Sequence, residues 1–243
     1  MYTYFAKIYD NFIEINYKEW ANFIVEIIKQ RVPQANLVLD LACGTGNITT
    51  LLKCYDVIAL DSSTDMLMIA REKAMLLNQN ILFLNQRMQN FELYGTVDVI
   101  ICTCDSINYI LNENEVTKTF LLVKNYLNVG GIFIFDIKTL HKYKNVLANN
   151  TFGQTKEDSA IIWENYYDIT TSINEYYLTM FLKKEDGNYI KNEETHYQKA
   201  YTKESIISLI SSAELTLLNI YDGYTKSEPN KNSERLVFVV QKE

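Results

Sequence analysis

Up to about residue 140 the chain alternates short apolar runs with segments whose apolar side chains recur every three or four positions. Tyr17 to Arg31 sets Trp20, Phe23, Ile24, Ile27 and Ile28 on one stripe, a helical period that stops before Pro33. The run Leu37 to Leu41 predicts a buried strand, and a helix is expected from about Asn47 to Lys53. A second strand spans Asp56 to Leu60. Thr64-Asp65 then opens a helix whose inner face is Met66, Ile69, Ala70, the stem of Lys73 and Leu77. Strands are predicted over Ile81 to Leu84 and Val97 to Thr103. A helix follows from about Asn114 to Leu127, closed by Gly130-Gly131, and then a strand from Ile132 to Asp136. Strands alternating with helices imply a parallel sheet covered on both faces.

Beyond Thr139 the pattern changes. Ala160 to Ile169, Asn174 to Lys184 and Tyr189 to Tyr201 read as extended, aromatic-rich strands, with Asp186-Gly187 as a hairpin turn between the last two. Helical spacing returns over Lys203 to Ala213. Leu215 to Tyr221 and Arg235 to Gln241 then form an antiparallel hairpin around a polar loop containing Pro229. The expected fold is α/β: a Rossmann-like, doubly wound seven-stranded sheet with an antiparallel C-terminal hairpin strand, carrying a small inserted antiparallel meander. The expected organisation is a Rossmann-like first part over 1–138, an insertion over 139–201, and completion of the first domain over 202–243.

With 243 residues, 48% of them hydrophobic, the chain can bury a full core. A net charge of −7 disfavours nucleic acid as a general partner. Cys43, Cys54, Cys102 and Cys104 lack paired metal spacings and read as buried free thiols, so a reducing, cytoplasmic setting and no metal are expected. No apolar stretch reaches the roughly eighteen residues of a membrane span.

The chemistry is concentrated where strands end. Asp40 closes the first strand and is followed at once by the turn Gly44-Thr45-Gly46, which permits sharp bending and close ligand approach. Asp61 closes the second strand, at the spacing of about twenty residues from which an acid reaches ribose hydroxyls in a doubly wound sheet. Two strand ends thus frame a nucleoside site. A dinucleotide fingerprint wants a third glycine where this chain has Thr49, which disfavours a nicotinamide-dependent oxidoreductase. A nucleoside without a pyrophosphate, such as S-adenosylmethionine, fits better.

The segments LDLACGTGN (39–47), ALDSSTDML (59–67), VDVIICTCDSINYI (97–110) and GGIFIFD (130–136) resemble, in order and spacing, the class I S-adenosylmethionine-dependent methyltransferases. The opening FAKIYD (5–10) is similar to a bacterial subgroup acting on small molecules, amino-sugar N-methyltransferases among them. The resemblance implies S-adenosylmethionine as cofactor, with Ala42, Gly44, Gly46 and the nearby backbone facing its methionine part. It implies Asp61 and Ser62 at the ribose, Met66 against the adenine, and Met88 and Gln89 at the adenine edge. Many relatives carry an acid where this chain has Arg87. Asp105 and Asn108 would stand where the methionine ammonium meets the substrate. Tyr2 and Tyr9 either close over the cofactor or pin the N-terminal segment. Asp40 either takes part in the cofactor site or serves as an acceptor for loop amides.

Methyl transfer is an in-line displacement that depends mainly on positioning. Tyr2, Tyr109 and His196 are the candidates to orient or deprotonate an acceptor; His141 reads as non-catalytic. Trp163, Tyr166, Tyr167, Tyr176, Tyr177 and Tyr197 either roof the site or form a homodimer interface. The expected activity is methylation of nitrogen or oxygen of a small-molecule acceptor. The segment after the fourth strand, Cys104-Asp105-Ser106-Ile107, lacks the proline-containing motif of DNA amino-group methyltransferases. The competing class is a methyltransferase-like binding protein without turnover.

Overall fold

The computed structural model describes residues 5–243. Helix α1 covers Phe5–Phe12 and α2 Tyr17–Arg31. Then follow β1 (Leu37–Leu41), β2 (Asp56–Asp61), α3 (Thr64–Leu76), β3 (Leu82–Asn85), β4 (Val97–Cys102), α4 (Glu113–Tyr126) and β5 (Leu127–Lys138). A separate run of strands comprises β6 (Thr151–Lys156), β7 (Ser159–Asp168), β8 (Ile173–Lys183) and β9 (Tyr189–Lys199). The chain ends with α5 (Lys203–Ser212), β10 (Thr216–Asp222) and β11 (Arg235–Gln241).

The main sheet has seven strands in the order β10-β11-β5-β4-β1-β2-β3. Strands β5 to β3 in that order are parallel, and β11 joins β5 antiparallel with Arg235 opposite Lys138. The strands buried on both faces, such as Val97–Cys102, are the near-continuous apolar runs of the sequence. Helix α2 buries Ala21, Phe23, Ile24, Ile27 and Ile28 on one face of the sheet; α4 and α5 bury Val116, Phe120, Val123, Ile206 and Ile210 on the other. Inserted after β5 is a four-stranded antiparallel sheet, β6-β7-β8-β9. Its inner face packs Ile161, Leu178 and Met180 against Phe5, Ile8 and Phe12 of α1.

Several local expectations are corrected. The helix predicted after the glycine turn is only a 3-10 turn, Thr49–Leu51. Both threonine hydroxyls there bond locally, Thr49 to Asp40 and Thr50 to the Gly46 carbonyl, which competes with helix growth. Gly130-Gly131 does not end α4 but lies inside β5, which begins directly at Leu127. A register shift marks a bulge in the β4–β5 ladder there, and a Cβ on Gly131 would meet the Asp98 carbonyl at 2.8 Å. The meander has a fourth strand, β6, whose exposed, polar sequence TFGQTK carries little alternation. Helix α1, amphipathic but only 8 residues long, was not predicted from periodicity. Cys54 is exposed, whereas the other three cysteines are buried or half-buried.

Candidate active site

The strand ends of the parallel sheet open onto a crevice of about 770 Å³. Its floor is the loop after β1. Ala42 (φ 63°), Gly44 (φ 55°) and Gly46 (φ 76°) all take left-handed backbone, which turns the loop sharply under the crevice. Gly46 also lies against α3: a Cβ there would stand 3.0 Å from the Ala70 Cβ. Asp61, at the end of β2, accepts the Gly44 amide at 2.9 Å and the Ser63 amide at 2.8 Å. Burial raises its carboxyl above the usual range, and those amides offset part of the rise. Ser62, Met66 and Met88 line the same wall, while Thr103, Cys104, Ser106 and Tyr109 supply the wall after β4.

The roof is α1 with the start of α2. Tyr9 and Tyr17 face the crevice, and burial holds the Tyr9 hydroxyl well above its ordinary titration range. Asp10 ties the roof to the floor. Its Oδ1 accepts from the Thr45 hydroxyl (2.8 Å) and the Asn47 amide (2.7 Å), and its Oδ2 pairs with Lys73 of α3 at 2.6 Å.

A second cavity, about 1020 Å³, adjoins the first and shares Tyr9, Cys104 and Tyr109 with it. The inserted sheet supplies Trp163, Tyr176, Leu178 and His196; α1 supplies Phe5 and Phe12. Its charged wall is a buried network. Asp105 sits in left-handed backbone (φ 53°) and follows Cys104 in the same conformation (φ 59°). Asp136 holds this strained turn by accepting the Asp105 amide at 2.5 Å. The Asp105 carboxylate meets Arg235 (2.8 Å), Lys138 (3.0 Å) and the Gln198 amide (2.7 Å). Burial alone would raise Asp105, but Lys138 and Arg235 outweigh it and hold the carboxyl below its ordinary range. Burial raises Asp136 despite Arg235 beside it. Gln198 in turn accepts from the hydroxyls of Tyr176 (2.5 Å) and Tyr143 (2.8 Å). Burial pushes the Cys104 thiol up to about 12, so it stands in the wall as a thiol, not a thiolate nucleophile.

The expected residues therefore divide. Tyr9, Ala42, Gly44, Asp61, Ser62, Met66, Met88 and Tyr109 converge on the crevice; Asp105 and His196 line the second cavity beside it. Four stand off. Gly46 lies beneath the loop against Ala70. Asp40 is buried behind it, accepting from Thr49 at 2.5 Å. Gln89 lines neither cavity. Asn108 is fully buried and acts as a bracket, accepting the Lys138 amide and donating to the Lys199 carbonyl. Tyr2 falls outside the described residues. The reading of the sequence missed Tyr17, Lys138 and Arg235. Arg235 is one of four arginines in a lysine-rich chain, and Lys138 closes a buried strand; both were available signals. Among the described residues no cluster of metal-ligating side chains occurs. No helix of these residues is long and apolar enough to cross a membrane.

A left-handed loop under a buried strand-end acid, beside an apolar methionine wall, fits a nucleoside joined to an amino acid. The comparisons agree. A model of the methyltransferase domain matches residues 38–131. A protein of Geobacillus sp. (strain WCH70) that carries a methyltransferase name is 32% identical over 99% of each chain. The crystal structure of an S-adenosylmethionine-dependent methyltransferase from Clostridium acetobutylicum superposes with a TM-score of 0.91 at 33% identity, covering 99% of this chain and 98% of that one. The S-adenosylmethionine-bound structure of CalS10, an amino pentose methyltransferase from Micromonospora echinaspora, shares the fold (TM-score 0.76, 16% identity, 99% and 96% covered). The chain belongs to the class I S-adenosylmethionine-dependent methyltransferases. It is an enzyme that uses S-adenosylmethionine as its methyl donor.

Proposed function

We propose that the enzyme methylates a nitrogen or oxygen of a small-molecule acceptor held in the aromatic cavity beneath the inserted sheet. The observation that carries this reading is the junction of two cavities at Tyr9, Cys104 and Tyr109. One cavity has the shape and lining for the cofactor. The other has room for a separate molecule and reaches the same three residues.

When bound, S-adenosylmethionine supplies an electrophilic methyl group on a positively charged sulfur. The chain's own residues provide the rest. The loop of Ala42 and Gly44 receives the methionine part, Asp61 the ribose hydroxyls, and Met66 and Met88 the adenine. The Asp61 carboxylate accepts hydrogen bonds from a diol as it accepts them here from amides. Tyr9 and Tyr17 exclude water from above. Tyr109 and His196 face the acceptor. Trp163 adds an indole N–H that is buried without an acceptor among the described residues, a donor free for a bound molecule. Asp105, already satisfied by three side chains, holds the wall rigid, which favours positioning.

Isothermal titration with S-adenosylhomocysteine tests the cofactor half. Asp61→Ala is expected to weaken binding roughly 10- to 100-fold, the range for charge-assisted hydrogen bonds lost to a ligand. Unchanged affinity would remove the carboxylate from the site. Labelled cofactor incubated with a metabolite extract, followed by mass spectrometry of the labelled product, tests the acceptor half. Label found only on macromolecules would overturn the small-molecule reading.

A further inference from the structure

We infer that the acceptor is an acid with an apolar extension: its carboxylate or phosphate meets Lys142 and Lys138, and its apolar part lies in a groove beyond them. The inference rests on the methyl-transfer reading above and adds the class of acceptor. A third cavity, about 940 Å³, continues from the second. The two share Phe12, Ile13, Lys138, Lys142 and Trp163, so these five residues form the neck between them. The acceptor's reacting atom belongs at the other end of the second cavity, where Tyr9, Cys104 and Tyr109 meet the cofactor crevice.

Beyond the neck the groove is mostly apolar. Val146 and Leu147 come from the π-helical turn Lys142–Leu147, Phe152 from β6 and Ile161 from β7. Phe152 stands opposite Trp163 in the β6–β7 ladder, so both rings share the inner face of the inserted sheet. The Phe152 ring is 43% exposed, apolar surface that a hydrocarbon chain would cover.

The neck itself carries positive charge. In the wall, Asp105 and Asp136 face Lys138 and Arg235, two charges of each sign. Lys142 adds a third cation. Its partner Glu234 lies 2.5 Å away, but that carboxylate is 53% exposed and lines neither cavity. An ion pair of that exposure is weak and readily exchanged for another anion. The Lys138 ammonium has three donors, of which Asp105 at 3.0 Å and the Tyr176 hydroxyl at 3.4 Å take two. Burial lowers Lys138 below its ordinary range, and the Arg235 and Lys142 charges add to this against the pull of Asp105; an anion in the neck relieves that repulsion. Glu14, the other acid lining the second cavity, is bonded to Gln154 and Lys156. An entering anion thus meets two ammonium groups among apolar side chains, where charges are screened less than in water.

Trp163 stands in the neck, and the chain's other tryptophan is Trp20. Trp20→Phe protein saturated with S-adenosylhomocysteine therefore reports binding there through the fluorescence of one indole. Octanoate, octyl phosphate, octanol and octylammonium are titrated against it, with butyrate as the short acid. At least one of the two eight-carbon acids should bind roughly tenfold tighter than octanol or octylammonium, and the better one identifies the acidic group. Lys142→Met should weaken that acid roughly tenfold and leave octanol unchanged, and Lys142→Arg should restore it. Glu234→Gln frees Lys142 and should tighten it. Octanoate should bind more than tenfold tighter than butyrate, since each buried methylene contributes about fourfold, and Phe152→Ser should narrow that gap. Octanol or octylammonium binding as tightly as both acids would overturn the inference. So would an acid affinity that ignores Lys142→Met or falls in Glu234→Gln, or equal affinities for butyrate and octanoate. Failure of S-adenosylhomocysteine to bind would instead sink the methyl-transfer reading, and the same titrations without it would still judge the neck.

Discussion

Asp40 places one oxygen on the Thr49 hydroxyl and buries the other without a partner among the described residues. Burial pushes its carboxyl up to about 7 from 3.8, against the lowering effect of the Thr49 bond. The native state therefore binds more protons than the unfolded chain between about pH 4 and pH 7, and stability falls as pH rises through that window. Asp40→Asn keeps an acceptor for Thr49 but cannot ionise. Urea unfolding should show the variant gaining a few kcal/mol on the parent between pH 4 and pH 8. A difference that stays flat with pH would mean that Asp40 titrates normally. The same residue pair shows what a sequence conceals. In the sequence Thr49 signifies only a missing glycine, which disfavours a dinucleotide; its hydroxyl's service to Asp40 is visible only once the 3-10 turn brings the two together.

Helix α1 is held by few contacts of its own, because an eight-residue helix gains little from propensity. Its apolar face depends on the inserted sheet, and its Asp10 depends on Thr45, Asn47 and Lys73. The Lys73 pair is partly exposed and contributes about 1 kcal/mol or less, while each hydrogen bond to the carboxylate adds roughly as much or more. Asp10→Ala should let α1 open at least tenfold more often. Limited proteolysis should then cut within residues 5–16 faster than in the parent, and S-adenosylhomocysteine should slow both. Equal cutting rates would show that the apolar face alone seats the helix. Elements of this kind are poorly legible in sequence: the apolar face of α1 is covered by strands of the inserted sheet far along the chain, and the exposed β6 exists by its pairing with β7, without a buried face to write an alternation. The parallel strands were legible because burial on both faces writes a continuous apolar run, and α2 and α5 because their inner faces keep a helical period; α3 was legible as a helix, but its buried stripe is Met66, Leu67, Ala70 and Ala74, with the expected Leu77 exposed past its end.

At the scale of the whole molecule, the two sheets are joined by the polar network, which no local pattern predicts because it gathers residues 105, 136, 138, 198 and 235. Two carboxylates face two cations there, so its charges balance only when all four are present. Each cation also meets an aromatic of a different unit: the Arg235 guanidinium lies 4.9 Å from the Trp20 ring of α2, and the Lys138 ammonium 5.9 Å from the Trp163 ring of β7. The chain has no other tryptophan. Single-tryptophan variants, Trp20→Phe and Trp163→Phe, therefore report on the two units separately, and both should unfold at the same urea midpoint once each is referred to its own far-UV signal. Arg235→Met leaves Asp105 and Asp136 with Lys138 alone and should cost about 3–5 kcal/mol near pH 8. The surplus carboxylate can escape that cost by taking a proton. The variant's acid then has a raised folded-state value, so its deficit should shrink as pH falls towards 5. A deficit that grew in acid would show that the arginine acts through packing on Trp20 and Tyr224, not through charge. Separate midpoints for the two tryptophans would show that the sheets fold independently, leaving the network as a contact between them and no longer the means by which the acceptor cavity is kept in register with the cofactor crevice.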